Sequence, residues 1–254
     1  NKMIKKTLPN KVAAVTIIFW ITKIISTAMG ESVSDFLSQT FNPYLVVIST
    51  IIVTASLIGI QIFSQKYHIW LYWGAVGLIA IFGTMLADSI HIALGIPYEI
   101  SALGFAILLI VNFSIWYGIE GTLSVHEITT RRRELFYWLT ILFTFGLGTA
   151  LGDYTSHVLN WGTLNSGFFF LILFAIPIIW RVFSKKAEIL TFWSAYVMTR
   201  PLGASFADWG SYGLYGHNPE GVGFFLLTIF LILLIALSAK SFLGIKRNET
   251  VTSQ

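Results

Sequence analysis

Five acidic residues sit in stretches that are otherwise fit for lipid: Glu31, Asp35, Asp88, Asp153 and Asp208. Two basic residues, Lys23 and Arg200, share those stretches. Ionisable groups inside apolar helices are costly, and they mark ion pathways, proton relays or internal ion pairs. Thr84 and Thr149 add hydroxyl oxygens on the same helix faces, and His91 and His157 add imidazoles near the acidic ends. A carboxylate-and-hydroxyl set suits a hard divalent cation such as Mn²⁺ or Mg²⁺. Asp88 and Asp153 with His91 and His157 would form a metal-ligating group that extends the range to Zn²⁺ or Co²⁺. The chain has no Cys, so thiolate ligands and disulfides are excluded.

These residues recur at a fixed spacing. Trp20, Gly30 and Asp35 stand at offsets 0, +10 and +15, and the same offsets relate Trp73, Gly83 and Asp88. They relate Trp138, Gly148 and Asp153, and again Trp193, Gly203 and Asp208. Each Trp follows an aromatic residue (Phe19, Tyr72, Tyr137, Phe192), and each Asp follows a small one (Ser34, Ala87, Gly152, Ala207). Four matches at fixed offsets define four tandem repeats. At about 100° per residue, offsets +7, +10, +11, +14 and +15 share one helix face with the Trp. The Asp lies roughly 22 Å along the axis from the Trp, near a helix C-terminus. An anion is disfavoured there by the helix dipole, so a cation, a proton, a basic side chain or water must offset it.

The positioning elements follow from composition. Of 254 residues 56% are hydrophobic and 11% charged, with a mean hydropathy of +0.76; a soluble domain carries about 25% charged residues. Apolar segments long enough to span a bilayer fall at about 12–38, 43–63, 69–92, 97–117, 135–158, 166–183, 189–212 and 220–243. That predicts eight helices, two per repeat, in a single membrane domain over 1–254 with repeats at about 12–63, 69–117, 135–183 and 189–243. Asn42-Pro43 and Asn218-Pro219 are helix starts, as are Pro97 and Asn165, and Pro177 should kink the sixth helix. Apart from Lys23 and Arg200, every Lys and Arg falls on one side of this scheme, including Lys11, Lys66, Arg131 to Arg133, Arg181 and Lys240. The positive-inside rule makes that side cytoplasmic, with both termini there. Their place at membrane boundaries also accounts for the net charge of +4 without a nucleic-acid partner.

The predicted fold class is therefore all-α integral membrane. Eight transmembrane helices form four parallel-topology repeats around a pseudo-fourfold or nested twofold axis, with the motif-bearing odd helices inside. Each signal also has a plainer reading. The Trp residues serve equally as an interfacial belt, and Gly-x3-small serves helix packing. The Asp residues have a reading as solvated helix ends, against which stand their fourfold repetition and Glu31 one turn deeper, and the His residues one as polar helix-end groups. Lys23 and Arg200 are expected to compensate Glu31, Asp35 and Asp208 as ion pairs, or to compete with a transported cation for them. Arg200-Pro201 also frees the carbonyl of Val197. No Ser-His-Asp spacing, HExxH, Walker motif or Gly-rich nucleotide loop occurs, so no enzyme and no covalent cofactor are expected.

The segments FWITKIISTAMGESVSDFL, YWGAVGLIAIFGTMLAD, FYWLTILFTFGLGTALGD and FWSAYVMTRPLGASFAD carry a resemblance. They resemble a bacterial family of membrane proteins built from four tandem repeats of unknown function, each with two transmembrane segments and a characteristic Trp. The resemblance implies that architecture and the bacterial inner membrane, and no biochemical activity.

The residues themselves point to a small-cation transporter, an exporter of a divalent ion such as Mn²⁺, coupled to protons. Its ion-binding residues would be Glu31, Asp35, Asp88, Asp153, Asp208, Thr84 and Thr149. The ion is expected on the Asp88–Asp153 side, with Lys23 and Arg200 charge-compensating the other. A membrane-embedded sensor or scaffold and a cation channel are the alternatives. Besides the bilayer and the cation, the sequence names no partner, and it leaves the oligomeric state open.

Overall fold

The computed structural model describes residues 10–64, 66–184 and 187–252, with side chains to residue 241. The helices are α1 (Ile17–Thr40), α2 (Pro43–Phe63), α3 (Ile69–Leu94), α4 (Tyr98–Glu120), α5 (Arg131–Asp153), α6 (Gly162–Phe183), α7 (Glu188–Asp208) and α8 (Pro219–Thr252). Among the described residues there is no strand. Local chemistry sets several boundaries. Asn42 Oδ1 accepts from the amides of Tyr44 and Leu45 ahead of α2, and Asn218 Oδ1 accepts from Gly221 N at 2.8 Å at the start of α8. Gly95 and Gly121 close α3 and α4 in the left-handed conformation that glycine tolerates.

Several boundaries differ from the sequence reading. Helix α1 begins at Ile17, where Thr16 Oγ1 caps Phe19 N; residues 10–16 form a lead-in. Asn10 Nδ2 in it donates to Val125 O, and Lys11 N to Ile128 O. The Arg131–Arg133 triplet opens α5 and is not part of the connection before it, because Thr130 Oγ1 caps Arg133 N. Helix α6 starts at Gly162, ahead of Asn165. Of the cations behind the topology, Lys2, Lys5, Lys6, Lys185 and Lys186 lie outside the described residues, as do the side chains of Lys246 and Arg247.

Six helices, α2, α3, α4, α5, α6 and α8, are long and apolar enough to cross a membrane. Helices α1 and α7 fall short of that measure. They hold Lys23, Glu31 and Asp35, and Glu188, Arg200 and Asp208. Those two helices are shielded by packing. The even helices turn apolar side chains outward, among them Ile52, Leu103, Ile107, Ile172, Ile179, Phe225 and Ile232, all exposed. The architecture is an all-α, multi-pass membrane protein.

Packing does not follow the repeat boundaries. Each even helix packs most heavily on the first helix of the next repeat: α2 on α3, α4 on α5, α6 on α7, and α8 back on α1. The odd helices meet as neighbours: α1 with α3, α3 with α5, α5 with α7, and α7 with α1. The motif glycines explain this closeness. A Cβ on Gly30 would lie 2.8 Å from the Ala80 carbonyl carbon, and one on Gly83 2.6 Å from Phe145 Cβ. On Gly148 it would lie 2.6 Å from Arg200 Cβ, and on Gly203 2.9 Å from Thr27 Cβ. The glycine at offset +10 of each repeat thus receives the residue at +7 of the next, and the fourth repeat closes on the first.

Candidate functional site

The four odd helices carry their unusual side chains in successive levels between the Trp and the Asp. At the Trp level Phe19, Tyr72, Tyr137 and Phe192 are all buried. The Tyr72 and Tyr137 hydroxyls meet at 2.6 Å, and the Phe19 and Phe192 ring centroids lie 6.1 Å apart. Trp73, Trp138 and Trp193 are also buried, and Trp193 Nε1 donates to Leu123 O at 2.9 Å. These three Trp residues are therefore core residues and do not form a lipid-facing belt; together with the rings at offset −1 they pack this end of the ring.

A polar clasp that the sequence reading missed ties the same end. Lys11 Nζ pairs with Glu134 Oε2 and donates to Ile62 O at 2.9 Å. Gln61 Nε2 donates to Glu134 Oε1 at 3.2 Å and to Lys11 O at 3.3 Å. Lys11 is buried, not a free cation of the tail. The available signal was Gln61, a lone amide in the apolar run of α2.

Lys23, 1% exposed, comes next. Its Nζ lies 4.2 Å from the centroid of Phe145 and 4.5 Å from that of Tyr196. Among the described residues no carboxylate pairs with it. This corrects the expected ion pair: about two turns of helix separate Lys23 at offset +3 from Glu31 at +11, and Phe145 of α5 and Tyr196 of α7 hold the ammonium at its own level. Arg200 behaves otherwise. Its Nη2 pairs with Glu31 Oε2, donates to Thr84 Oγ1, and donates to Thr149 Oγ1 at 2.7 Å. Three repeats thereby meet on one nitrogen. Thr27 Oγ1 donates to Thr199 O at 3.0 Å and joins α1 to α7 beside it.

Beyond Arg200 the ring opens. Asp35, Asp88, Asp153 and Asp208 are all partly exposed, while Glu31 is buried. Glu31, Asp35 and Asp208 offer carboxylate oxygens within 4.8 Å of one another. Among the described residues this is the one group of three or more His, Asp or Glu so placed. The expected Asp88, Asp153, His91 and His157 group is therefore not assembled. His91 Nδ1 contacts Ile96 O at 2.9 Å and its ring stacks on Tyr98. His157 Nδ1 meets Ser156 Oγ at 2.9 Å and stands 4.0 Å from Asp153 Oδ1. Each histidine is held by its own helix end.

Tyr212 was not anticipated. Its hydroxyl donates to Asp35 Oδ2 at 2.7 Å and accepts from Gln39 Nε2 at 2.8 Å. It lies in a π turn, Trp209–Leu214, that begins directly after Asp208; a second, Tyr154–Val158, begins directly after Asp153. Such turns widen a helix and recur where function needs a displaced side chain. Only the i, i+4 spacing from Asp208 to Tyr212 hinted at it.

The model of a family described as Repeat of Unknown Function (DUF347) matches four times, at residues 18–67, 71–122, 136–187 and 191–242. No curated protein and no solved structure matches the chain.

Proposed function

The chain belongs to this four-repeat family, which brings no activity with it, and we propose on the geometry alone that it transports a small cation across the bacterial inner membrane. The observation that carries the reading is the convergence of Glu31, Asp35 and Asp208. Arg200 supplies one positive charge against three carboxylates. The remaining charge of two matches a hard divalent ion with oxygen ligands, Mn²⁺ among them, as the substrate. In this reading the ion sits on the α1–α7 side and not, as expected from the sequence, on the Asp88–Asp153 side; the proximity of Glu31, Asp35 and Asp208 supports it. Asp88 and Asp153, still partly exposed, line the approach and carry the coupling protons.

The membrane arrangement in this proposal is eight spans with both termini cytoplasmic and a pseudo-fourfold axis along the membrane normal. The one-sided loop cations and the head-to-tail glycine contacts support it. The Asp end then faces outward and the Trp end is the closed inner gate. Reporter fusions after residues 40, 95, 161 and 216 should all report the outer side; one cytoplasmic report removes the scheme.

The transport test is saturable Mn²⁺ uptake by proteoliposomes. Asp35→Asn and Asp208→Asn should each lower it at least about tenfold, the scale already reached when a group that merely supports a metal ligand is lost. Asp153→Asn should retain the binding affinity. The buried aromatic plug at the Trp end favours a second reading, a sensor or scaffold whose polar interior only joins helices. Absence of Mn²⁺ flux in a correctly folded protein selects that reading.

A further inference from the structure

The guanidinium of Arg200, 1% exposed, is held at one corner. Nη2 carries two hydrogens and faces three acceptors, Glu31 Oε2, Thr84 Oγ1 and Thr149 Oγ1. Nε and Nη1 carry three hydrogens between them and are buried without an acceptor among the described residues. A site shaped for a guanidinium presents paired acceptors to its planar fork. This one presents three oxygens to a point.

The hydroxyls are oriented as ligands. Thr84 Oγ1 lies 2.9 Å from Ala80 O, and Thr149 Oγ1 3.1 Å from Phe145 O, each one turn back along its own helix. With their hydrogens directed there, both oxygens turn lone pairs toward Arg200. Thr84 also lies 3.3 Å from Glu31 Oε2, the longer of its two acceptor contacts. Offset +11 supplies all three oxygens, from repeats one, two and three. The fourth repeat has Ala204 there and sends in Arg200 from offset +7, its stem lying against Gly148.

We infer that Glu31, Thr84 and Thr149 form a second, inner binding site for a small monovalent metal cation such as Na⁺, and that Arg200 Nη2 is its tethered, displaceable occupant. The cage holds one carboxylate and two neutral hydroxyls, so one positive charge balances it, whether guanidinium or Na⁺. A divalent ion there would leave an excess, which separates the cage from the more acidic group of Asp35 and Asp208. The inference rests on the proposed cation reading through Glu31, which both sites share. A guanidinium released from the cage moves toward Asp35 and Asp208, where it opposes a divalent ion. Na⁺ and Mn²⁺ should then weaken each other's binding by equal factors.

The test uses the full chain in nanodiscs, with Na⁺ exchanged for choline at constant ionic strength. Arg200→Gln empties the cage. Its melting temperature should rise saturably with Na⁺, by about 5 °C or more at saturation, as a ligand bound to the native state requires. Adding Thr84→Val should abolish that rise. Arg200→Gln that melts identically in Na⁺ and choline overturns the inference, as does a rise that survives Thr84→Val. A second arm needs no variant. In the wild-type chain, phenylglyoxal adducts at Arg200, quantified by mass spectrometry, should increase severalfold in Na⁺ over choline; equal labelling overturns displacement. Failure of the outer-site reading looks different. Mn²⁺ affinity would then ignore Asp35→Asn and Asp208→Asn, whatever Na⁺ does at the cage.

Discussion

Each end of the four-helix ring holds one buried ion pair, and the two are built to different standards. At the Trp end Lys11 and Glu134 are enclosed with Gln61, and both charged groups find further partners in Ile62 O and the Gln61 amide; the atom left over among the described residues is the neutral Gln61 Oε1, not a charged group. Around them aromatic rings leave the core closed. Toward the Asp end Arg200 and Glu31 are equally buried, yet two guanidinium nitrogens lack acceptors among the described residues and the next level of carboxylates is partly exposed. A pair whose remaining polar atoms are satisfied fixes a structure; an incompletely satisfied one is a place where the structure can change. The comparison teaches that one repeat, used four times, yields a clasp at one end and a movable charge at the other.

Removing one partner of the clasp is expected to have the largest effect. Lys11→Met leaves Glu134 buried with, among the described residues, the Gln61 amide alone as hydrogen-bond partner, which costs about 3–5 kcal/mol. At about 2–4 °C per kcal/mol for a chain of this size, the melting temperature should fall by roughly 10 °C. Arg200→Gln in saturating Na⁺ should fall by clearly less, because an ion takes over the charge. Equal losses for the two would erase the distinction between the ends. Melting curves of both variants in the same nanodiscs decide it.

The glycines test what the ends share. Gly30→Ala drives a methyl against the Ala80 backbone, which cannot yield, so a loss of about 1–3 kcal/mol is expected. Gly104, with open space around it on α4, should accept Ala without loss. A tolerant Gly30 would mean that the ring is looser than its contacts imply, at both ends alike.

The repeat, the helices and the importance of the odd helices were legible in the sequence, because spacing and hydropathy are local properties. The interlock was not. Nothing in α2 says that its partner is α3 of the next repeat and not its own α1; only the closed circuit of +10 glycines and +7 residues decides that, and it is a property of four helices at once. At the site, Arg200, Glu31, Thr84 and Thr149 were legible as polar residues on one helix face, and their meeting on a single nitrogen was not. The histidines misled because a helix-end imidazole can satisfy itself locally, as His91 does on Ile96 and Tyr98. Tyr212 and Lys11 stayed hidden because a π turn and an extended lead-in carry no periodic signal.

Among the buried charges the smallest expected effect belongs to Lys23, and it separates the two central cations from each other. The sequence pairs Lys23 with Arg200 as twin compensators, and that pairing predicts similar losses on neutralisation. The structure gives them different neighbours: carboxylate and hydroxyl oxygens for Arg200, the faces of Phe145 and Tyr196 for Lys23. Taking away the ammonium strands no carboxylate, so the penalty of an orphaned buried charge does not arise. What is lost is two cation–π contacts, worth on the order of 0.5–2 kcal/mol each, against the relief of a desolvated ammonium with no anion beside it. These terms oppose, and Lys23→Met, which keeps the length of the stem, should change the melting temperature by no more than about 2 °C. Lys23→Arg is the stricter arm. It retains the charge and enlarges the head in a level that Val76 and Ile141 already fill, so it should be the worse of the two. If Lys23→Met instead melts as low as a variant lacking Glu31, Lys23 has an anionic partner in the native protein, and the two cations belong to one structural unit after all.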